Sequence, residues 1–140
     1  MPNPSINVND LRILAKIRLD DAITLYRQKR YEGAIYLCGY AVELALKYKI
    51  CQKLEWDEYL PESSKIDNVR TFYTHKLEAL KYLSGMQNIL DDAQNTKLND
   101  SWTIIISWNE QLRYNITPQS KNNARSFLRA SIQLYKELTK

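Results

Sequence analysis

Residues 34–50 read Ala-Ile-Tyr-Leu-Cys-Gly-Tyr-Ala-Val-Glu-Leu-Ala-Leu-Lys-Tyr-Lys-Ile, and this stretch decides the fold. It is apolar on nearly every side of a helix, so other helices must surround it. One acid, Glu43, lies in its middle, and Lys47 follows one turn later. Burying an ionised carboxylate is costly unless a partner pairs with it. The stretch therefore predicts the central helix of an all-α bundle and raises the question of what Glu43 binds.

The length and composition of the chain indicate one globular domain over residues 1–140. Its hydrophobic content of 44% and charged content of 26% are ordinary, and three Gly and four Pro favour long helices over a turn-rich fold. There is no run of 18 apolar residues, and the N-terminus lacks the basic and apolar regions of an export signal. We therefore expect a cytoplasmic protein that does not enter a membrane.

The two cysteines and the net charge exclude few further classes of function. Cys38 and Cys51 fall on the same predicted helix, too far apart to bridge each other, and have no His or acid at ligand spacing. We expect reduced thiols, no metal site and no cofactor. The formal net charge of +4 permits contact with nucleic acid without demanding it.

Hydrophobic periodicity predicts an up-and-down bundle of four to five helices. The first helix should start after Asn7 or Asn9, run to about Gln28 and form an antiparallel hairpin with a second helix over 31–54. Gly39 inside that second helix should permit a close helix crossing. A long loop over 55–74 is expected next, and loops of this length are often functional or mobile. The remaining predicted helices, with their caps, are 74–83 after Thr74, 86–97, 100–112 after Asp100, and a last one capped by Thr117 with Pro118 at its first position.

Four short motifs occur in order along the chain. They are Arg30-Tyr31-x-x-Ala34, Ala41-Val42-Glu43-x-x-Leu46-Lys47, Thr74-His75-x-Leu77-Glu78-Ala79-Leu80 and Leu112-Arg113-Tyr114. In this order they resemble the HEPN family, small helical domains found beside minimal nucleotidyltransferases and in prokaryotic toxin and defence systems. The resemblance covers residues 9 to 139. It implies an up-and-down bundle of four or five helices, commonly a homodimer.

The resemblance also implies a possible activity. Catalytic members of the family are metal-independent ribonucleases with an Arg-x(4–6)-His motif near the last helices, where Arg and His of two subunits meet across a cleft. A polar residue on the second helix supports them. Arg113 matches the Arg of this motif, but the positions for the histidine hold Pro118, Gln119 and Ser120, none of which transfers a proton near neutral pH.

His75 is the only histidine in the chain. It completes a literal match as Arg70-Thr-Phe-Tyr-Thr-His75, but at the loop before the third helix, where the family often carries a His in its Thr-His-x-Leu signature. We interpret the Arg70–His75 match as a coincidence. Near a helix start a histidine is more often a structural hydrogen-bonding residue than a catalyst, although its imidazole can exchange a proton near pH 7.

Glu43 has two interpretations. It is either a buried acid held by Arg113 or Lys47, or it shares with Arg113 a cleft that contacts a nucleotide or an RNA backbone, which the planar fork of Arg grips well. For Lys47 the simpler interpretation is an i+4 partner of Glu43. Tyr114 is a candidate for stacking on a base, although packing is the simpler role.

Two further sets of side chains are candidates for binding or assembly. Lys121, Arg125 and Arg129 recur every four residues and form a basic stripe, usually a solvated face and alternatively a track for phosphates. Trp102 and Trp108 do not share one helical face. We expect one in the core, while the other is available to a dimer interface.

Three functions are compatible with these residues. The first is a catalytically degenerate HEPN protein that binds a nucleotide, RNA or a nucleotidyltransferase partner in a toxin–antitoxin or defence-like pair, as a homodimer. The second is an active metal-independent ribonuclease in which His75 or Tyr114 replaces the missing histidine. The third is a structural adaptor that docks a partner protein and shows no salt-dependent binding of RNA or nucleotide.

Overall fold

A computed structural model describes residues 6–60, 72–114 and 116–140, with the side chains of Glu110 and Arg113 left undescribed. The described helices and strands are α1 (Val8–Arg27), α2 (Tyr31–Leu54), α3 (Leu77–Ser84), α4 (Gln87–Leu90), α5 (Thr96–Ile105), a 3₁₀ helix (Glu110–Tyr114), α6 (Lys121–Leu138), β1 (Ile6–Asn7) and β2 (Glu58–Tyr59). The all-α bundle is confirmed, with six α-helices among these residues in place of the expected four to five. None of the described helices combines the length and apolar character that crossing a membrane requires.

The antiparallel hairpin of α1 and α2 forms as predicted. The side chain of Asn7 accepts a hydrogen bond of 2.8 Å from the backbone N–H of Asn9 and caps α1. The connection is short, and Lys29 within it has φ of 62°, the left-handed conformation that usually belongs to glycine. That turn reverses the chain and lets α2 pack along α1.

Helix α2 lies at the centre of the bundle. Residues 41–46 are buried in succession, and α2 contacts α1, α3, α6 and the 3₁₀ helix. This matches the apolar character of the stretch on every side. Burial raises the pKa of both free thiols on this helix, Cys38 and Cys51, to about 12, so at neutral pH they stay protonated and do not act as nucleophiles.

Because Gly39 of α2 has no side chain, the indole ring of Trp108 can pack against the helix at this point. A Cβ atom at Gly39 would lie 2.1 Å from Cγ of Trp108, so the indole ring packs directly on the helix backbone. The ring is fixed there because Trp108 Nε1 donates a 2.9 Å hydrogen bond to the carbonyl of Tyr36. Trp102 and Trp108 are both buried, so the expectation that one of them is available to a dimer interface is wrong.

Two predicted helices in the second half are wrong in extent. The helix over 86–97 shrinks to α4, four residues long, and the helix over 100–112 is shifted to α5. Asn95 caps α5 by accepting from the N–H of Leu98, five residues before the predicted cap Asp100. Both Asn and Asp are good caps, so the apolar packing of the helix decided which one is used.

Two helix starts are also displaced. Helix α3 begins at Leu77, because the hydroxyl of Thr74 accepts from the N–H of Lys76 in the segment before the helix. Helix α6 begins after Ser120, whose hydroxyl accepts from the N–H of Asn123, and the predicted start at 117–118 is wrong. The predicted cap Thr117 and the observed cap Ser120 lie within one turn of each other.

A small antiparallel sheet falls partly in the predicted loop over 55–74. In β1 and β2, Ile6 pairs with Tyr59, and the hydroxyl of Tyr59 donates a 2.7 Å hydrogen bond to the carbonyl of Phe72. Residues 61–71 lie outside the described residues. With them lies Arg70, so its match with His75 stays an interpretation.

Candidate functional site

Glu43 is a buried carboxylate with two partners on one oxygen. Its side chain is 2% exposed, and Oε2 accepts a hydrogen bond of 3.1 Å from Lys47 Nζ. The predicted i+4 pair is therefore present. The same Oε2 lies 3.0 Å from Nδ1 of His75, a contact across 32 residues that the sequence did not indicate.

The contact orients the ring of His75. With the proton on Nδ1 the ring donates to Glu43, and Nε2 is then the accepting nitrogen. The side chain of His75 is 55% exposed, so the imidazole is held at its inner edge and reaches solvent at its outer edge. A base oriented by a buried acid is an arrangement that both binding and proton transfer can use.

Lys47 is directed inward. Its side chain is 15% exposed, and Nζ lies 5.2 Å from the ring centroid of Tyr59 as well as beside Glu43. These contacts agree with the simpler role considered for Lys47, in which its ammonium neutralises the carboxylate of Glu43. The buried carboxylate also acts on a neighbouring phenol, since burial first and then the charge of Glu43 raise the pKa of Tyr40.

The exposed edge of His75 lines a cleft of about 620 Å³ between the segment before α3 and the segment that joins α5 to the 3₁₀ helix. Its lining residues are Tyr73, Thr74, His75, Lys76, Leu77, Glu78, Ile106, Trp108, Asn109 and Gln111. The volume falls in the range of small-molecule sites. The lining combines aromatic rings, two amide side chains, the imidazole of His75, the ammonium of Lys76 and the carboxylate of Glu78, which suits a ligand with polar groups better than a purely apolar one.

Lys81 anchors the helix that forms one wall of this cleft, and sequence reasoning missed it. Its side chain is 3% exposed, and Nζ donates to Glu78 Oε2 and to both carboxylate oxygens of Asp91 at 2.8 Å. Trp102 Nε1 donates to the other oxygen of Glu78 at 2.8 Å. Burial lowers the pKa of Lys81, but the hydrogen bonds to Asp91 and Glu78 outweigh it, and the net pKa is raised. The available signal was spacing, since Lys81 stands at i+4 from Leu77 on the apolar face of α3.

Two predicted site residues lie in the 3₁₀ helix. The side chain of Arg113 lies outside the described residues, so its pairing with Glu43 stays a prediction. Tyr114 is 72% exposed, which makes it accessible to a ligand or a second subunit. The cleft is bordered by Gln111 of the same helix.

The basic stripe of α6 lies apart from the cleft. Lys121, Arg125 and Arg129 are all exposed, and none of them lines the cleft beside His75. The Nε of Arg125 donates a 3.2 Å hydrogen bond to the hydroxyl of Tyr26 on α1, whereas Arg129 lines a groove between α5 and α6. The cations of the stripe therefore face different neighbours, since Arg125 contacts α1 and Arg129 lies beside α5.

Within the described ranges no group of three or more His, Cys, Asp or Glu side chains is arranged to hold a metal ion.

Comparison with known proteins identifies the family of this chain. A comparison with protein families matches residues 8–138 to the family described as HEPN domain. Neither the curated proteins nor the solved structures gave a match. The matched residues run from the first residue of α1 to the last residue of α6.

Proposed function

Because the chain belongs to the HEPN domain family, we propose that it is a binding member of that family and not a ribonuclease. It holds a nucleotide, free or within RNA, in the cleft beside His75. It acts with a nucleotidyltransferase-type partner in a toxin–antitoxin or defence-like pair. The observation that carries the proposal is the cleft itself, in which a half-exposed imidazole is held in place by the buried Glu43.

The lining of the cleft supports a nucleotide as the ligand. Tyr73 is 66% exposed, so its ring is accessible for stacking on a base. Asn109 and Gln111 carry amides that pair with the donor and acceptor groups on base edges. Lys76, which is exposed, also lines the cleft and supplies a positive charge that attracts a phosphate.

The residues at the expected histidine positions support a binding role over catalysis. The hydroxyl of Ser120 caps α6, and the side chain of Gln119 accepts a hydrogen bond of 2.7 Å from Asn123. The backbone N–H of Gln119 donates to Glu32 at 2.9 Å. These groups are committed to the start of α6, and Pro118 has no titratable side chain, so none of them replaces a general base.

A homodimer is part of the proposal. Tyr114 is 72% exposed and Ile116 is 95% exposed, and both adjoin Arg113, where the family resemblance locates contact between subunits. Large apolar side chains on a surface often mark an interface. The solution mass of the purified protein tests this point directly, and a monomer at micromolar concentration would contradict it.

Gln111→Glu is expected to weaken mononucleotide binding by about tenfold or more, which is about 1.4 kcal/mol, because it adds a negative charge to the cleft wall. Calorimetric titration with each nucleoside monophosphate measures it, after any co-purifying nucleotide or RNA has been identified. Gln94→Glu is the matched control, since it makes the same charge change at an exposed position away from the cleft. Equal affinities of the two variants, or no binding by the parent protein, would contradict the proposal.

The contact between Glu43 and His75 favours a second candidate, a metal-independent ribonuclease. In that case Nε2 of His75 takes the proton of an RNA 2′-hydroxyl as the 2′-oxygen attacks the adjacent phosphorus, and Glu43 stabilises the imidazolium. The bond from phosphorus to the 5′-oxygen breaks, the departing 5′-oxygen takes the proton from the imidazolium, and the products are a 2′,3′-cyclic phosphate and a 5′-hydroxyl. The binding proposal instead predicts that the purified protein leaves RNA intact in EDTA. Cleavage that His75→Ala or Arg113→Ala abolishes and Tyr114→Phe retains, with the same loss of toxicity on induced expression, would establish the second candidate.

A further inference from the structure

One end of the bundle, where the α1–α2 turn meets the start of α6, carries five exposed cations, which we call the basic end. They are Arg27, Lys29, Arg30, Lys121 and Arg125. Among the residues that the structure describes, none of the five forms an ion pair. By contrast, Lys16 and Arg18 of the same α1 are paired with acids one turn further along.

Contacts between the three segments bring these cations to a common surface. The Nε of Arg125 donates to the hydroxyl of Tyr26 at 3.2 Å, which joins α6 to the last turn of α1. The rings of Tyr26 and Tyr31 are 5.8 Å apart between centroids, which joins that turn to the start of α2. These contacts therefore hold the part of α6 that carries Arg125 against the turn that carries Arg27, Lys29 and Arg30.

The carboxylate nearest to this surface is already engaged. Glu32 Oε1 accepts from the backbone N–H of Gln119 at 2.9 Å. Its pKa is lowered by hydrogen bonds from its own backbone N–H and from that of Gln119, and further by the charge of Arg30, which Glu32 therefore partly offsets. One carboxylate tied to the backbone does not neutralise five cations, so the basic end attracts anions.

The backbone conformation of Lys29 makes this residue a position at which binding and stability can be separated by substitution. Its φ of 62° follows the end of α1, where glycine is the residue that adopts this conformation without steric cost. A lysine at this position lowers the stability of the fold relative to glycine and adds a positive charge to the surface.

We propose that the basic end binds the phosphodiester backbone of a nucleic acid, at a surface separate from the cleft beside His75. Three of its cations are arginines, whose guanidinium groups grip phosphate oxygens in pairs. A membrane surface fits less well, because residues 26–31 expose no large apolar side chain for insertion into lipid. The inference shares its ligand class with the proposed function but does not depend on a nucleotide in the cleft.

The test is fluorescence anisotropy of a labelled single-stranded oligouridylate over a range of KCl concentrations. The triple variant Arg27→Gln, Arg30→Gln and Arg125→Gln should weaken binding at low salt by about tenfold or more. It should also reduce the slope of log affinity against log salt by about 2, because each phosphate contact of a single strand contributes about 0.7. The control variant Arg12→Gln, Lys97→Gln and Lys136→Gln removes three exposed cations elsewhere and should leave the slope unchanged.

Lys29→Gly separates binding from folding. The variant should unfold at the same or a higher urea concentration than the parent, since glycine suits the left-handed turn, and yet bind the oligouridylate more weakly. Mononucleotide titration of the arginine triple variant should be unchanged, which distinguishes a failure here from a failure of the cleft. Single-stranded DNA and duplex RNA identify the preferred nucleic acid. Equal salt slopes for the two triple variants, or binding only to phosphatidylserine vesicles, would overturn the inference.

Discussion

Replacing Gly39 with alanine is expected to lower the free energy of unfolding by about 3–5 kcal/mol, comparable to the loss of a buried tryptophan. The added methyl group would lie 2.1 Å from Trp108 Cγ, and the three atoms nearest to it all belong to the indole ring, which has no flexible end to move aside. The ring would have to leave its position and lose its hydrogen bond to Tyr36. Urea unfolding followed by near-ultraviolet circular dichroism measures the effect.

Gly33 of the same helix supplies the matched control. A methyl group there would lie 3.1 Å from Leu25 Cδ1, the movable end of a leucine, and alanine gains about 1 kcal/mol of helix propensity. Gly33→Ala should therefore change stability by no more than about 1 kcal/mol. In a Trp108→Ala background Gly39→Ala should cost almost nothing further, and full additivity of the two changes would show that the ring is not the obstacle.

Glu43→Ala should be the most damaging change at the site, at about 3–5 kcal/mol, because it leaves the largely buried ammonium of Lys47 without a counter-charge. Glu43→Gln keeps the shape and an accepting oxygen, so a smaller loss is expected. His75→Ala should cost least, since that ring is 55% exposed. Chemical denaturation of the three variants at one pH ranks them.

A Lys47→Met change provides the coupling test. Alone, this change leaves the buried carboxylate of Glu43 without its lysine counter-charge. Together with Glu43→Gln, it replaces the ion pair by two neutral side chains. The double variant should therefore be more stable than the sum of the single losses predicts. Independent, additive losses would mean that the two charges do not stabilise one another.

The first half of the fold could be predicted because its signals are local. The apolar spacing of α1 and α2 and the three-residue turn between them are sufficient to specify an antiparallel hairpin, and Asn7 was one of two candidate caps for α1. In the second half several capping residues stand within one turn of each other, as with Thr117 and Ser120. Propensity does not distinguish them, and only packing against α2 and α5 selects the one that is used.

The site was predictable as a set of residues but not as a set of contacts. Periodicity placed Glu43 and Lys47 one turn apart on α2, and the pair is present. The approach of His75 depends on how the segment before α3 crosses α2, and no local pattern encodes that path. Lys81 was not identified from the sequence because lysine is rarely buried, and the two carboxylate partners that make its burial tolerable come from contacts that spacing alone does not specify.

The hydrogen bond from Tyr59 to the carbonyl of Phe72 joins the two ends of the interval 61–71. When the ends of a segment are held together, the length of the segment has little effect on the stability of the fold, because doubling a loop costs only about 0.6 kcal/mol in closure entropy. A change in the length of this interval is therefore expected to cost the fold little in closure entropy, while the ring of Tyr59 keeps its centroid 5.2 Å from Nζ of Lys47.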